Sequence, residues 1–186
     1  MASPYLLVGL GNPGPKYAGN RHNIGFRVID ALAEGAAFRE KFRGHTAKGQ
    51  VGGEDAVFLK PMTFMNLSGE SVRPAMQFYK VPLERVVVVH DELDLEEGTL
   101  RLKLGGGTAG HNGLKSMVQH CGGNGFIRLR YGIGRPRGGP TASYVLSDFS
   151  ADERISLSDN IERATKIIAD VLRLGVSDAM NRHNRR

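Results

Sequence analysis

Four consecutive valines, Val86–Val89, lead directly into His90, Asp91, Glu92 and Asp94. A β-branched run without polar alternation has no face for water. It therefore reads as a central strand covered on both sides, which requires helices above and below the sheet. Tyr5–Leu10 is a second short apolar run, ended by Gly11, Pro13 and Gly14, and reads the same way. Asp55–Lys60, Leu100–Leu104 and Phe126–Gly134 supply further strands. Helical spacing links Ile24, Val28, Ala31 and Leu32, and again Leu114, Met117, Val118 and Cys121. Val72, Ala75, Met76 and Tyr79 form another such stripe, with Ser68 as its N-cap and Pro74 weighing against an unbroken helix. A capping box, Ser150 to Glu153, opens a long helix through Leu157, Ile161, Ala164, Ile168 and Val171, closed by Gly175. Residues 35–54 are poorly specified; Arg39, Lys41, Arg43 and Lys48 fit a solvated edge strand or the rim of an anion surface. The basic tail, Asn181–Arg186, is expected to fray. Strands alternating with helices give an α/β fold: one three-layer domain over residues 1–186, with a twisted, mostly parallel or mixed sheet flanked by helices on both faces.

A chain of 186 residues buries a core without staples. Its net charge of +6 fits a polyanionic partner, and the bases gather at Arg101, Lys103, Arg128, Arg130 and Arg135. The single cysteine, Cys121, excludes an internal disulfide or a thiolate cluster and reads as a packed residue. No leader pattern or membrane-length apolar run occurs, so a cytoplasmic protein without membrane contact is expected. No exposed apolar stripe demands a partner, which makes a monomer the default.

Three loops carry Asn12, His22, Asn66, Asp91 and Asn112, with the Gly105–Gly110 loop, mobile or closely approached by a ligand, as a fourth contributor. Histidine accepts a proton from water near neutrality, and an aspartate on its other nitrogen fixes the tautomer and stabilises the cation. Carboxamides hold carbonyls, hydroxyls and a developing oxyanion without adding charge. The set outlines a metal-free hydrolase that activates water. No Gly-x-Ser-x-Gly elbow is present, which argues against a serine nucleophile. Taken singly, His90, His111 and His120 read as caps or packed side chains. His22, His90, Asp91, Glu92, Asp94 and His111 are the possible metal ligands, but no pair has a recognisable zinc spacing, and no metal is expected. Gly9-Leu-Gly-Asn-Pro-Gly14 matches a dinucleotide fingerprint only loosely, because Pro15 and more loop follow Gly14 instead of a helix; no cofactor is expected.

Gly-Asn-Pro-Gly-x-x-Tyr with Arg-His-Asn, Lys-Pro-x-Thr-Phe-Met-Asn-x-Ser-Gly, His-Asp-Glu-Leu-Asp, Gly-Gly-x-x-Gly-His-Asn-Gly-Leu and Arg-Leu-Arg-x-Gly-Ile-Gly-Arg-Pro occur in that order. Together they resemble bacterial-type peptidyl-tRNA hydrolase across essentially the whole chain. The resemblance implies hydrolysis of the ester joining a peptide to the 3′-terminal ribose of tRNA, which recycles prematurely released peptidyl-tRNA. It implies His22 as base, Asp91 as its orienting partner and Asn112 on the water or oxyanion. Asn12, Tyr17, Met65, Asn66 and His111 would contact substrate, and Arg101, Lys103, Arg130 and Arg135 the tRNA. The family's usual lysine after Gly-Ile-Gly-x-Pro is missing: Gly138, Gly139 and Pro140 stand there, with Arg135 or Arg137 expected to substitute. The usual Thr before Arg-His is Asn20. Two other readings remain at this point: a silent RNA-binding factor on the same fold, which has no chemical need for His22, Asp91 and Asn112, and a small-molecule amidohydrolase, which leaves the basic strand residues without a task.

Overall fold

In the computed structural model, which describes residues 2–185, seven strands form one mixed sheet in the order β2-β3-β4-β1-β5-β7-β6. They are β1 (Tyr5–Gly9), β2 (Arg39–Lys41), β3 (Gly44–Val51), β4 (Glu54–Pro61), β5 (Val86–Glu92), β6 (Leu100–Leu104) and β7 (Ile127–Gly132). The central strands β4, β1, β5 and β7 are parallel, whereas β2, β3 and β6 pair antiparallel at the edges. The helices are α1 (Ile24–Leu32), α2 (Ser68–Tyr79), α3 (Asn112–His120), α4 (Thr141–Val145), α5 (Ala151–Leu174) and α6 (Val176–His183).

The four valines divide between two cores, as a strand buried on both faces must. Val87 and Val89 join Leu7, Ile24, Val28 and Ile168 beneath α1 and α5, while Val86 and Val88 join Leu6, Val8, Val72 and Met117 beneath α2 and α3. The ends of β1, β4 and β5 thus converge on one rim of the sheet, where open α/β folds hold their ligands.

Helix α1 is rotated from the expected stripe: Ile24, Gly25, Val28 and Ile29 are buried, and Ala31 is exposed. The cause is backbone contact. A Cβ on Gly25 would lie 2.5 Å from Leu10 N and Val89 O, and one on Gly9 would lie 2.2 Å from Gly25 O. Two of the three glycines that looked like a nucleotide fingerprint serve helix packing, Gly9 against Gly25 and Gly11 against the Phe26 ring, while Gly14 turns the loop at φ 102°. Gly25→Ala must lift α1 off β1 and β5, at a cost of about 3 kcal/mol. Thermal melts should show Tm lowered by roughly 6–12 °C for a chain of this size.

Three further expectations change. Ser68 is the first residue of α2 rather than its N-cap; its hydroxyl is buried and donates to Met65 O at 2.7 Å, because the Met65–Leu67 turn feeds directly into the helix. Pro74 leaves α2 continuous, forgoing only the one amide hydrogen bond. The tail does not fray through Asn184: α6 reaches His183, and the Asn184 carboxamide accepts from Leu102 N and donates to Leu102 O, both at 2.9 Å. Arg186 lies outside the described residues. The 35–54 stretch is the edge hairpin β2–β3, turned by Phe42 and Arg43 at φ 58° and 55°. The short helix α4, following Pro140, was not foreseen.

Candidate active site

His22 stands on a one-turn 3₁₀ segment, Arg21–Asn23, between the loop after β1 and α1. Both neighbours anchor it. The Asn23 side chain accepts from Asn12 N at 3.0 Å and donates to Asn12 O at 2.9 Å. Arg21 donates to both Glu153 carboxylate oxygens (2.5 and 3.2 Å) and to Tyr144 O (3.1 Å), and its guanidinium lies 4.0 Å from the Tyr144 ring centre. Glu153 is also the capping-box residue of α5, accepting from Ser150 N at 2.8 Å. Burial alone would raise the Glu153 pKa; the Arg21 and Ser150 hydrogen bonds outweigh it and hold it below its usual value.

Asp91, at the end of β5, receives two imidazoles. His22 Nδ1 lies 3.0 and 2.8 Å from its oxygens, and His111 Nε2 lies 2.9 Å from Oδ1. The tautomers follow from proton inventory. His111 Nδ1 accepts from Gly113 N (3.1 Å) and Leu114 N (3.3 Å), capping α3, so its Nε2 carries the proton and donates to Asp91. The remaining acceptor capacity of the carboxylate takes His22 Nδ1–H. The lone pair of His22 therefore sits on Nε2, the nitrogen facing away from Asp91. Burial opposes the Asp91 charge, but the two imidazoles prevail and keep the carboxyl well below its ordinary range.

His90 is fully buried beside this cluster, donating from Nδ1 to Asp91 O at 2.9 Å, with its ring edge-on to His111 at 5.2 Å. Burial first, then the neighbouring His111, push its pKa down to about 3. His90 is thus a neutral packed residue, and this has a stability consequence. The unfolded chain binds a proton at His90 below about pH 6.5 that the folded chain refuses until about pH 3, so stability falls as pH falls through that window. The slope from this residue is about 1.4 kcal/mol per pH unit. Urea titrations between pH 6.5 and 4 should show it, and His90→Phe should flatten it.

The carboxamides are divided in use. Asn12 is buried and its Oδ1 accepts from Met65 N at 2.7 Å, tying the first loop to the second. That bond presents Asn66, which is exposed, and Asn112 is exposed in the first turn of α3. Met65 is a floor residue: its side chain is buried, and a Cβ on Gly113 would lie 2.6 Å from its sulfur. Tyr17 stands edge-on to the exposed Phe64, 6.4 Å between centroids, forming one wall. On the other side a cleft runs from His22, Asp91 and His111 between Thr108 of the glycine loop and Ala142 and Val145 of α4.

The basic strand residues are cross-strand pairs on one face, Arg101 opposite Arg130 and Lys103 opposite Arg128. Like charges in direct opposition destabilise a sheet, so their presence points to an anion. Arg128 is almost wholly buried and donates to Gly106 O and Gly107 O at 2.5 Å each, pinning the glycine loop. Arg135 lies apart from the four, at the cleft, held by Asp94 at 2.7 Å.

His22, Asp91 and His111 are also the only trio of potential metal donors gathered among the described residues. Their atoms face one another through hydrogen bonds. Ligation by His111 Nε2 would strip its proton while Nδ1 still serves two backbone N–H donors, leaving an anionic ring.

The family model described as Peptidyl-tRNA hydrolase matches residues 6–186. The chain belongs to the peptidyl-tRNA hydrolase family. Curated members of the family similar to it include those of Sorangium cellulosum, 52% identical over 97% of this chain and 84% of the relative, and Geobacter sulfurreducens, 47% identical over 96% and 94%. The crystal structure of peptidyl-tRNA hydrolase from Acinetobacter baumannii matches with a TM-score of 0.90 and 41% identity, covering 99% of this chain and 96% of that one. As a member of the peptidyl-tRNA hydrolase family, the chain is a hydrolase with this single mixed α/β sheet. No helix is long and apolar enough to cross a membrane among the described residues.

Sequence reasoning brings together His22, Asp91, Asn12 and the loop of Asn66. It misses the Arg21–Glu153–Tyr144 knot, although the capping box had already singled out Glu153. It also gives His111 only one of its two tasks, since the ring both caps α3 and binds Asp91.

Proposed function

We propose that His22 is the general base for hydrolysis of the ester linking a peptide to the 3′-terminal ribose of tRNA. The observation that carries this is the contact of His22 Nδ1 with the Asp91 carboxylate at 2.8 Å, which leaves Nε2 as the nitrogen turned away from Asp91. Nε2 takes a proton from water as the oxygen attacks the ester carbonyl, and Asp91 stabilises the imidazolium that forms. The Asn112 amide donates to the oxyanion. The tetrahedral intermediate then expels the ribose oxygen, which receives the proton back from His22. Asn12, through the bond that ties it to the Met65 loop, and Asn66 position the peptide and the 3′ end beside Tyr17, Phe64 and the Met65 floor, so many peptide sequences are accommodated. Arg101, Lys103 and Arg130 take phosphates near the acceptor end, with Arg135 at the cleft mouth. The reading is of one domain over residues 1–186, a cytoplasmic monomer.

The test is loss of ester from an N-blocked aminoacyl-tRNA, with wild type and His22→Ala, each with and without chelator. Turnover that survives chelation and collapses in the variant supports the assignment. Binding without ester loss by wild type hands the fold to the RNA-binding reading, and loss on chelation alone to a metal. The double variant Lys103→Gln/Arg130→Gln should raise KM about tenfold at 0.1 M salt with kcat nearly unchanged, and should flatten the salt dependence of KM by one to two in log–log slope, about 0.7–0.9 per lost phosphate contact.

A further inference from the structure

The cations of the β2–β3 margin take no part in the chemistry of the cleft. Arg39 and Lys41 of β2 and Thr46 and Lys48 of β3 line one hollow with Phe78 and Tyr79 at the end of α2. Arg39 stands opposite Thr46 across the ladder, so these four residues share one face of the hairpin. No acidic residue lines the hollow among the described residues. The ion pairs nearby, Arg43 with Glu70 and Lys60 with Asp30, leave Arg39, Lys41 and Lys48 without a carboxylate partner there. The two lysines have aromatic company instead. Lys41 Nζ lies 3.6 Å from the centre of the Phe78 ring and 4.9 Å from that of Phe42, and Lys48 Nζ lies 5.4 Å from that of Tyr79. The rings form a cluster of their own, with Phe78 4.9 Å from Tyr79 and 5.5 Å from Phe42 between centroids. Phe42 holds φ 58°, uncommon for a bulky residue, and that turn brings its ring to the cluster. Phe78 nevertheless remains 59% exposed.

We propose that this margin binds a single-stranded RNA segment separate from the acceptor end of the substrate. Unpaired RNA presents what the hollow can meet: a run of phosphates for cations without counterions, and flat bases for an exposed ring. Arg39 and Lys41, two positions apart on a strand, are about 7 Å from one another along the backbone, a step comparable to that between phosphates of an extended chain. Lys41 rests on the face of Phe78 and moves to a phosphate as a base takes its place. A duplex hides the faces of its bases, and an acidic stretch of peptide brings charge but no planar base for Phe78. Each matches half of the hollow. The hairpin lies at the margin opposite β6, six strand spacings or about 29 Å away, which separates this segment from the phosphates proposed for Lys103 and Arg130. The proposal goes beyond the hydrolase reading and does not depend on it.

The chain contains no tryptophan, so Phe78→Trp keeps a ring at this position and supplies a single reporter. Titration with decauridylate at 0.1 M salt should quench its fluorescence saturably, whereas an RNA duplex of equal length or decaglutamate should not. Adding Arg39→Gln/Lys48→Gln should raise the Kd about tenfold and flatten its log–log salt slope by about 1.4, at roughly 0.7 per lost phosphate contact. Equal Tm values establish that the variants are folded. In the chain without the reporter, Phe78→Ala should leave KM for an N-blocked aminoacyl-tRNA within twofold of wild type. Absence of saturable quenching by decauridylate overturns the proposal, as does equal quenching by the duplex or by decaglutamate. A tRNA KM raised tenfold by Phe78→Ala also overturns it, because the segment would then belong to the substrate. Failure of the hydrolase reading would look different: wild type would leave the ester intact while the quenching persisted.

Discussion

Replacing His22 with alanine should lower turnover of an N-blocked aminoacyl-tRNA by about a thousandfold, the ordinary worth of a positioned general base. That is a loss of about 4 kcal/mol of transition-state stabilisation. The affinity for tRNA should stay within a few-fold, because the cationic residues that would meet phosphates lie on β6 and β7 and the His22 turn is anchored independently by Arg21 and Asn23. Single-turnover rates and filter binding on one preparation separate the two effects. Similar falls in rate and affinity would place His22 in binding and remove it from the chemistry.

Asp91→Asn should be at least as damaging, although it removes only a charge and keeps the shape. The carboxylate accepts from two imidazoles at once, His22 and His111. A carboxamide has one oxygen and one NH₂ and satisfies only one of them. His111 cannot adapt, because Gly113 and Leu114 both donate to its Nδ1 and so require the proton on Nε2. The asparagine oxygen goes to His111, its NH₂ faces His22, and His22 must turn its proton out to Nε2, where the base is needed. A fall of about 10³–10⁴ in kcat is expected, as for a triad forced into the wrong tautomer. The mechanism carries a sharper corollary. Adding His111→Phe to Asp91→Asn frees the amide to rotate and offer its oxygen to His22, so the double variant should recover part of the lost rate. Strict additivity of the two losses would count against tautomer control.

The parts of the fold legible in the sequence are those where a single local signal suffices. Val86–Val89 require a two-faced burial, and they receive it. Ser150 and Glu153 form a capping box at a fixed spacing, and it closes as expected. His22 and Asp91, 69 positions apart, are joined in advance only because His22 follows β1 and Asp91 stands at the end of β5, and the sheet rim gathers such strand ends. What escapes is set by contacts without sequence periodicity. Nothing in the spacing of Ile24, Val28, Ala31 and Leu32 reveals that Gly25 meets the Val89 carbonyl and so turns α1. Helix α4 has five residues, too few to show a period, yet it walls the cleft and its Tyr144 lies under Arg21. Arg135, expected on the loop after β7, pairs with Asp94, a partner that no spacing announces. Asn112 and Asn66 are placed at the surface, as groups waiting for a ligand would be.

The bond between Asn184 and Leu102 has a consequence for how the molecule behaves in a crowded solution. Strand β6 ends the sheet, and an unpaired outer strand invites a second chain to add to it, the first step of edge-to-edge aggregation. One carboxamide occupies both the N–H and the C=O of Leu102, the middle residue of that strand. The opposite margin is blunted differently: β2 has three residues, Arg39, Glu40 and Lys41, all charged. The sheet is thus stoppered at one margin and charged at the other, and Asn184 works as a safeguard against edge-to-edge pairing.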